Sequence, residues 1–432
     1  MIYSYIITED LGWQSLSQWQ PPDTPFMSFA YWQALTDTGA IGEASGWVPL
    51  YIVIYRSQPQ NQSQITPVAV MPVFIKEHHQ GEYVFDHVWA EAYARYGVAY
   101  YPRLVTSVPY TPVSGQRLWL AQGVTLSTEI LQTAMAAIDS VAAQVGASSW
   151  HGLFVGDEQY NIFHSVSQTF NVSQTSVDNQ QFERQSLEYP LFEREGCQFL
   201  WQNQKLTEWD AAGKSIPFSN FDDFLMTLTA KKRKNIRAER KKIAKHNLTC
   251  QIKTGADINA SDWAVFYHCY AMTYAVRGRH PYLTPAFFEQ IAKSMSKCLM
   301  LAQALDETGE VVASSLFFYD DPNRPNATLY GRYWGALAEY DSLHFELCYY
   351  QGIEFAIATG LQYFDPGTQG EHKLIRGFIP QKTHSLHRIY DLRFQPAIAK
   401  FCEQDRTYMR QYRQQAHRAL PFNVDNMPEF NG

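Results

Sequence analysis

The residues best equipped for chemistry in this 432-residue chain gather in one short stretch, FDPGTQGEHKLIRGF, spanning 364–378. It brings Asp365, Gln369, Glu371, His372, Lys373 and Arg376 close together in sequence. A carboxylate or a loop imidazole there can act as general base toward an amine nucleophile, so Asp365, Glu371 and His372 are catalytic candidates. Lys373 and Arg376 suit a phosphate or the charge of an oxyanion. Glu346, upstream, is the fourth catalytic candidate. Each has a plainer reading: Asp365 as a turn former before Pro366, Glu346 as a buried, hydrogen-bonded carboxylate, and Lys373 and Arg376 as partners of nearby acids.

The elements that must position these groups precede them. Strand Leu329–Gly335 leads through a loop to a helix over about 343–358, then to the short strand LQYF. Phe345, Tyr349, Ile353, Phe355 and Ile357 cover most of the helix circumference, which predicts burial. Glu346, Tyr350 and Glu354 fall at i, i+4 and i+8, one polar line along that apolar helix. Ionisable groups collected where a buried strand ends are what a crevice in an open α/β sheet requires.

Charge is segregated along the chain. Between Lys231 and Lys245 stand nine basic residues and one acid, Glu239, while the whole chain carries a net charge of −7. Arg233, Arg237, Lys241 and Lys245 recur every four residues, a spacing that predicts a positive stripe able to hold donor phosphates or a nucleic-acid backbone. No aromatic residue interrupts this helix, so base stacking is not its task. The acidic balance and a pI of about 6.0 argue against a whole surface coating DNA or an anionic membrane.

A metal is not expected. His384 and His387 stand three apart on a strand-like segment, and no set with structural-zinc spacing accompanies them. Neither a GK[ST] phosphate loop nor a GxSxG elbow is present. The six cysteines are scattered and form no CxxC pair, which reads as packed thiols of a cytoplasmic protein. The first sixteen residues lack a signal-peptide pattern, and no run is apolar enough to span a membrane.

The length suggests two or three domains. The periodicities predict an α/β chain of two layered units, each a mixed, mostly antiparallel sheet flanked by helices. The first unit, 1–206, has its first regular element near Phe26. Its strands are PLYIVIY, TPVAVMPVFIK and WHGLFV, with others around 172–177 and 197–201, and one helix is capped by Ser127. An aromatic excursion over 78–118 is rich in Tyr, Pro and Gly. A polar linker, 207–217, leads to the second unit, 218–432, which holds the basic helix 231–245 and a C-terminal helix.

The order helix, helix, three antiparallel strands, helix, strand resembles the GNAT acyltransferase fold. The strings GEYVFD (81–86), YYPRL (100–104), VPYTPVSGQRL (108–118), KKRKNIRAER (231–240), LYGRYWG (329–335), LHFELCYYQGIEFAI (343–357) and PGTQGEHKLIRGF (366–378) resemble the predicted N-acyltransferase family of peptidoglycan biosynthesis or recognition. That family is similar to the FemABX aminoacyltransferases, which pair two GNAT-like domains. The resemblance implies transfer of an acyl or aminoacyl group to an amine, with a cell-wall precursor or small molecule as acceptor. Aminoacyl-tRNA or acyl-CoA would be the donor, and no cofactor would be tightly bound. It implies acceptor contacts from Glu82, Asp86, Arg95, Tyr101 and Arg103, and substrate contacts from Tyr330, Arg332, Lys373 and Arg376. Transfer RNA is a candidate partner, and stable DNA binding is not expected. Two departures stand out: RYWGAL places Leu337 where an acetyl-CoA loop needs a small residue, and 207–217 looks like an insertion. The alternatives are an acyl-CoA-dependent N-acetyltransferase on a small amine, and a binding protein without turnover.

Overall fold

A computed structural model describes residues 3–12, 19–56, 67–164, 189–213, 215–368 and 370–430. The chain divides into two compact units: Met1–Gly196 with Thr383–Met409, and Cys197–Lys382 with Arg410–Gly432. The division falls not at the polar 207–217 segment but inside two strands and the C-terminal helix, Gln395–Arg418, so the first unit takes back a piece of the C-terminal chain. The strand expected at 172–177 and residue Gln369 lie outside the described residues.

In the first unit, β1 (Tyr3–Thr8), β2 (Trp47–Arg56) and β3 (Pro67–Lys76) are antiparallel neighbours. Regular structure therefore begins well before Phe26; the alternation of Tyr3, Tyr5 and Ile7 is its signal. The sheet continues through β4 (Arg103–Thr106) to β6 (Ser149–Val155), while β5 (Trp119–Leu120) pairs with β3. β4 and β6 run parallel, with Leu104 opposite Trp150 and Thr106 opposite Gly152. The helix between them, Thr128–Val145, starts where the Ser127 side chain accepts from the Ile130 amide at 3.4 Å. Its Ile130, Ala134, Ile138 and Val141 recur at helical spacing and bury one face against Ile52, Leu104 and Trp150. Ile130, Ile138 and Val141 each contribute roughly 1.5–3 kcal/mol by burial. The excursion over 78–118 contains a helix, His87–Arg95, as well as β4.

β7 (Leu191–Gln202) carries the chain into the second unit. There β8 (Thr249–Thr254), β9 (Leu299–Leu305), β10 (Val311–Tyr319) and β11 (Thr328–Ala336) form an antiparallel run in sequence order. β12 (Tyr363–Asp365) lies parallel to β11 and antiparallel to the end of β7. β13 (Ile379–Ile389) then returns the chain to the first unit, pairing with β6. Among the described residues each unit thus holds a parallel strand pair joined by a helix, β4 with β6 and β11 with β12, beside antiparallel neighbours, the mixed α/β architecture expected.

One close approach fixes the second unit's layering. A Cβ on Gly335 would sit 1.7 Å from the Cys269 carbonyl oxygen, so helix Ala260–Ala275 lies backbone to backbone on β11. The Thr273 hydroxyl donates to the Trp334 carbonyl at 2.8 Å beside it. Gly335, in the RYWGAL string that departs from an acetyl-CoA loop at Leu337, is a packing residue within a paired strand.

Candidate active site

β11 and β12 stay paired for only three residues, ending at Tyr330 opposite Asp365. Beyond that point they part, and the backbone of 331–336 has no strand partner on this side among the described residues. A cleft of about 460 Å³ opens there, lined by Arg332, Trp334, His344, Tyr349, His372 and Lys373, among others. An ion pair braces its root. Arg332 donates to Asp365 Oδ2 at 2.7 Å and to the Asp365 carbonyl at 3.1 Å, while Asp365 Oδ1 accepts from the Gly367 amide at 2.8 Å. Lys373 Nζ donates to the carbonyls of Gly367 and Thr368 at 2.7 and 3.0 Å, closing the same loop. Burial, opposed by the Asp365 charge, lowers the Lys373 ammonium to about 8.

The helix after β11 forms the second wall. It opens as α-helix over Leu343–Phe345, widens to a π-helix over Glu346–Tyr350, and resumes as α-helix over Gln351–Thr359. Single π-turns in α-helices often mark functional sites. This one carries Cys348 and Tyr349 into the cleft. Tyr349 Oη and His372 Nε2 are hydrogen bonded at 2.7 Å, and the rings of His344 and His372 are 5.9 Å apart. Burial, aided by Lys373 and Arg376, depresses the His372 imidazole below its ordinary value, so it is neutral near pH 7. Burial also pushes His344 down to about 4. Gly370 admits this ring, since a Cβ there would meet His372 Cε1 at 2.4 Å.

Of the other candidates in this unit, Glu346 is bound on the far side of the helix. Arg240 donates to both its oxygens at 2.9 and 3.1 Å and to Glu354 at 2.7 and 2.9 Å. Tyr350, between them, donates to Glu239 and accepts from Arg376. The polar line read from the sequence is therefore a docking seam for the basic helix. Arg376 is consumed there too, contacting Glu239 at 2.7 Å and the His372 carbonyl at 2.7 Å. Glu371 is exposed, within 3.4 Å of the Tyr412 hydroxyl, and Tyr330 is tied to Asp320 at 3.1 Å. His344, Cys348, Tyr349, Ser315 and Arg277 line the cleft without having been singled out. His344 and Tyr349 stand in the LHFELCYY string, where Tyr349 reads as part of the apolar face and His344 carries no assigned role.

The basic helix Ala230–Lys245 is anchored by buried Ile236 and Ile243. Arg233 donates to the Leu228 carbonyl at 2.5 Å, and Arg237 pairs with Asp222 at 2.8 Å. Lys241 and Lys245 remain exposed. The four-residue stripe is thus divided between internal bonding and solvent.

In the first unit the aromatic excursion closes over a buried charge cluster. Arg103 bonds Glu82 at 2.6 Å and also bonds Asp86, which accepts from the Tyr100 hydroxyl at 2.5 Å. Lys76 Nζ stands 3.9 Å from Glu82; burial lowers the ammonium and raises the carboxyl, each to about 7. Beneath them His151 and His387 face each other through their Nδ1 atoms at 2.7 Å. Tyr101 packs its ring 5.6 Å from the Arg103 guanidinium, whereas Arg95 lies apart on the surface, 3.6 Å from Glu91. Among the described residues no group of three or more His, Cys, Asp or Glu side chains is placed to hold a metal ion. Nor is any described helix long and apolar enough to cross a membrane.

A model of the FemAB-like family, described as peptidoglycan biosynthesis/recognition, matches residues 7–424. The chain belongs to the FemAB-like family. It is an acyl- or aminoacyltransferase of that family, in peptidoglycan-related processes. Curated proteins offer no match. Among solved structures it is similar to L-PGS from Bacillus licheniformis, at 10% identity and a TM-score of 0.42, covering 78% of this chain and 86% of that one. It is also similar to a tandem GNAT protein from the clavulanic acid biosynthesis pathway, at 9% identity and TM-score 0.36, with 83% and 87% covered. Saccharomyces cerevisiae N-myristoyltransferase with bound myristoyl-CoA gives 10% identity, TM-score 0.38, and coverage of 83% and 69%.

Proposed function

We propose that this FemAB-like chain transfers an acyl or aminoacyl group from an activated ester or thioester to the amine of a peptidoglycan precursor, in the cleft between β11 and the loop after β12. The observation that carries this reading is the parting of the parallel strands at Tyr330 and Asp365 beside a neutral, half-buried His372. The acceptor amine attacks the donor carbonyl, a tetrahedral intermediate forms, and the C–O or C–S bond breaks. With Nε2–H of His372 donating to the Tyr349 oxygen, Nδ1 is the base that takes the amine proton and returns it to the leaving group. The open backbone edge of β11 supplies N–H donors for the oxyanion, and positioning contributes much of the rate. Asp365 and Arg332 hold the loop and do not exchange protons. Glu346 and Arg376 secure the helix behind it.

Gly335 is engaged in packing, which favours an aminoacyl-tRNA donor over acetyl-CoA. Incubation with charged tRNA or acyl-CoA and an amine-bearing muropeptide precursor, followed by mass spectrometry, tests both donors. His372→Gln should lower kcat about 10²–10⁴-fold with the thermal midpoint unchanged. Undiminished turnover in that variant would remove His372 from the mechanism.

A further inference from the structure

The basic helix presents a second feature once its internal bonds are set aside. Arg233, Arg237 and Arg240 are engaged within the unit, and Lys242 pairs with Asp341 at 2.8 Å. Lys231, Lys234, Lys241 and Lys245 are exposed, and none makes a hydrogen bond or ion pair among the described residues. At 100° per residue they fall within an arc of about 80°, on the side away from Ile236 and Ile243, in a row about 21 Å long. The rest of the chain is strongly acidic, so this row is a local reversal of sign.

The N-terminal end of the row is apolar and outward. Met226 and Val424 are 57% and 93% exposed. They are held near one another because Asn423 donates its side-chain amide to the Met226 carbonyl at 3.1 Å and its backbone amide to the Thr227 carbonyl at 2.9 Å. Thr229, which begins the basic helix, donates to the Pro421 carbonyl at 2.8 Å.

We infer that this face docks the protein on an anionic lipid bilayer. Lysines are flexible, hydrated point charges suited to a diffuse layer of headgroup phosphates, whereas the planar arginines that would grip a single nucleic-acid phosphate are spent internally. No aromatic side chain on the helix offers a base a stacking surface. Two outward apolar side chains at the end of a lysine row match the pairing of electrostatic and apolar contacts by which surface helices bind membranes. The inference stands apart from the proposed reaction, because docking is read without turnover.

Vesicle flotation with the full chain tests it. The protein should float with phosphatidylcholine vesicles containing phosphatidylglycerol and not with phosphatidylcholine alone, and rising salt should release it. The variant K231Q/K234Q/K241Q/K245Q should lose about 50-fold or more in partition. M226S/V424S should lose on the order of three- to tenfold. Equal partition of the lysine variant and the parent overturns the proposal, as does failure of the parent to bind anionic vesicles. Lysine-dependent binding of transfer RNA with indifference to vesicles also overturns it, and gives the row to nucleic acid instead.

Discussion

Asp365 and His344 both border the cleft side of the second unit, and their environments differ. Asp365 was legible as functional because it ends a buried strand beside a histidine, yet its oxygens go to Arg332 and the Gly367 amide. Asp365→Ala would strand a guanidinium whose side chain is 1% exposed, and should cost about 3–5 kcal/mol in chemical denaturation. Asp365→Asn, which keeps an acceptor for Gly367, should cost less. A fully stable but inactive D365A would instead place the carboxylate at the chemistry. His344 carries the pH dependence at this scale. Its imidazole titrates at about 4 when folded and near 6.5 when unfolded, so the unfolded chain binds the extra proton. Its stabilising contribution is complete above about pH 6.5 and is lost as the pH falls toward 4. Urea midpoints should therefore drop between these values, and His344→Phe should flatten that slope. Sequence spacing could not single out His344, because nothing local says that it meets His372 across a loop.

The helix over 343–359 shows what periodicity can and cannot convey at the scale of an element. Its existence, burial and polar line were readable, since apolar repeat and helix length survive a local change of pitch. The π-turn was not, because it arises where the helix packs on β10 and seats Cys348 near Ser315 at 3.6 Å. The basic helix was equally visible as a charge run, but which cations stay free depends on where Asp222, Glu346 and Glu354 fall in three dimensions. Gly335 shows the same gap from the strand side. In the sequence RYWGAL reads only as a departure from an acetyl-CoA loop at Leu337, whereas the neighbour that requires Gly335 lies about sixty-five residues earlier, at Cys269. Gly335→Ala should destabilise the second unit by about 3 kcal/mol or more, measured by denaturation, because backbone rather than a flexible side chain must move. An unchanged midpoint would show that helix Ala260–Ala275 is free to shift.

Over the whole molecule, the two-unit α/β organisation was evident from alternating strand and helix patterns, and the placing of the division was not. A polar stretch with Gly and Pro reads as a linker, yet the units exchange chain within β7 and β13, which look like any other strands. The first unit completes its core with Ile389, Phe394, Ile398 and Cys402 packed on Trp89 and Tyr93. A fragment ending at residue 206 should therefore lack a cooperative thermal transition and bind a dye specific for exposed apolar surface. A sharp transition in that fragment would mean that 383–409 is dispensable. The returning segment also imposes an order on biosynthesis. The ribosome must add the 186 residues of 197–382 before the missing strand and helix are made, on the order of 10–40 s at ordinary elongation rates. Throughout that interval the nascent first half has apolar surface with nothing to cover it, so its maturation is set by the pace of translation and by the chaperones that attend it.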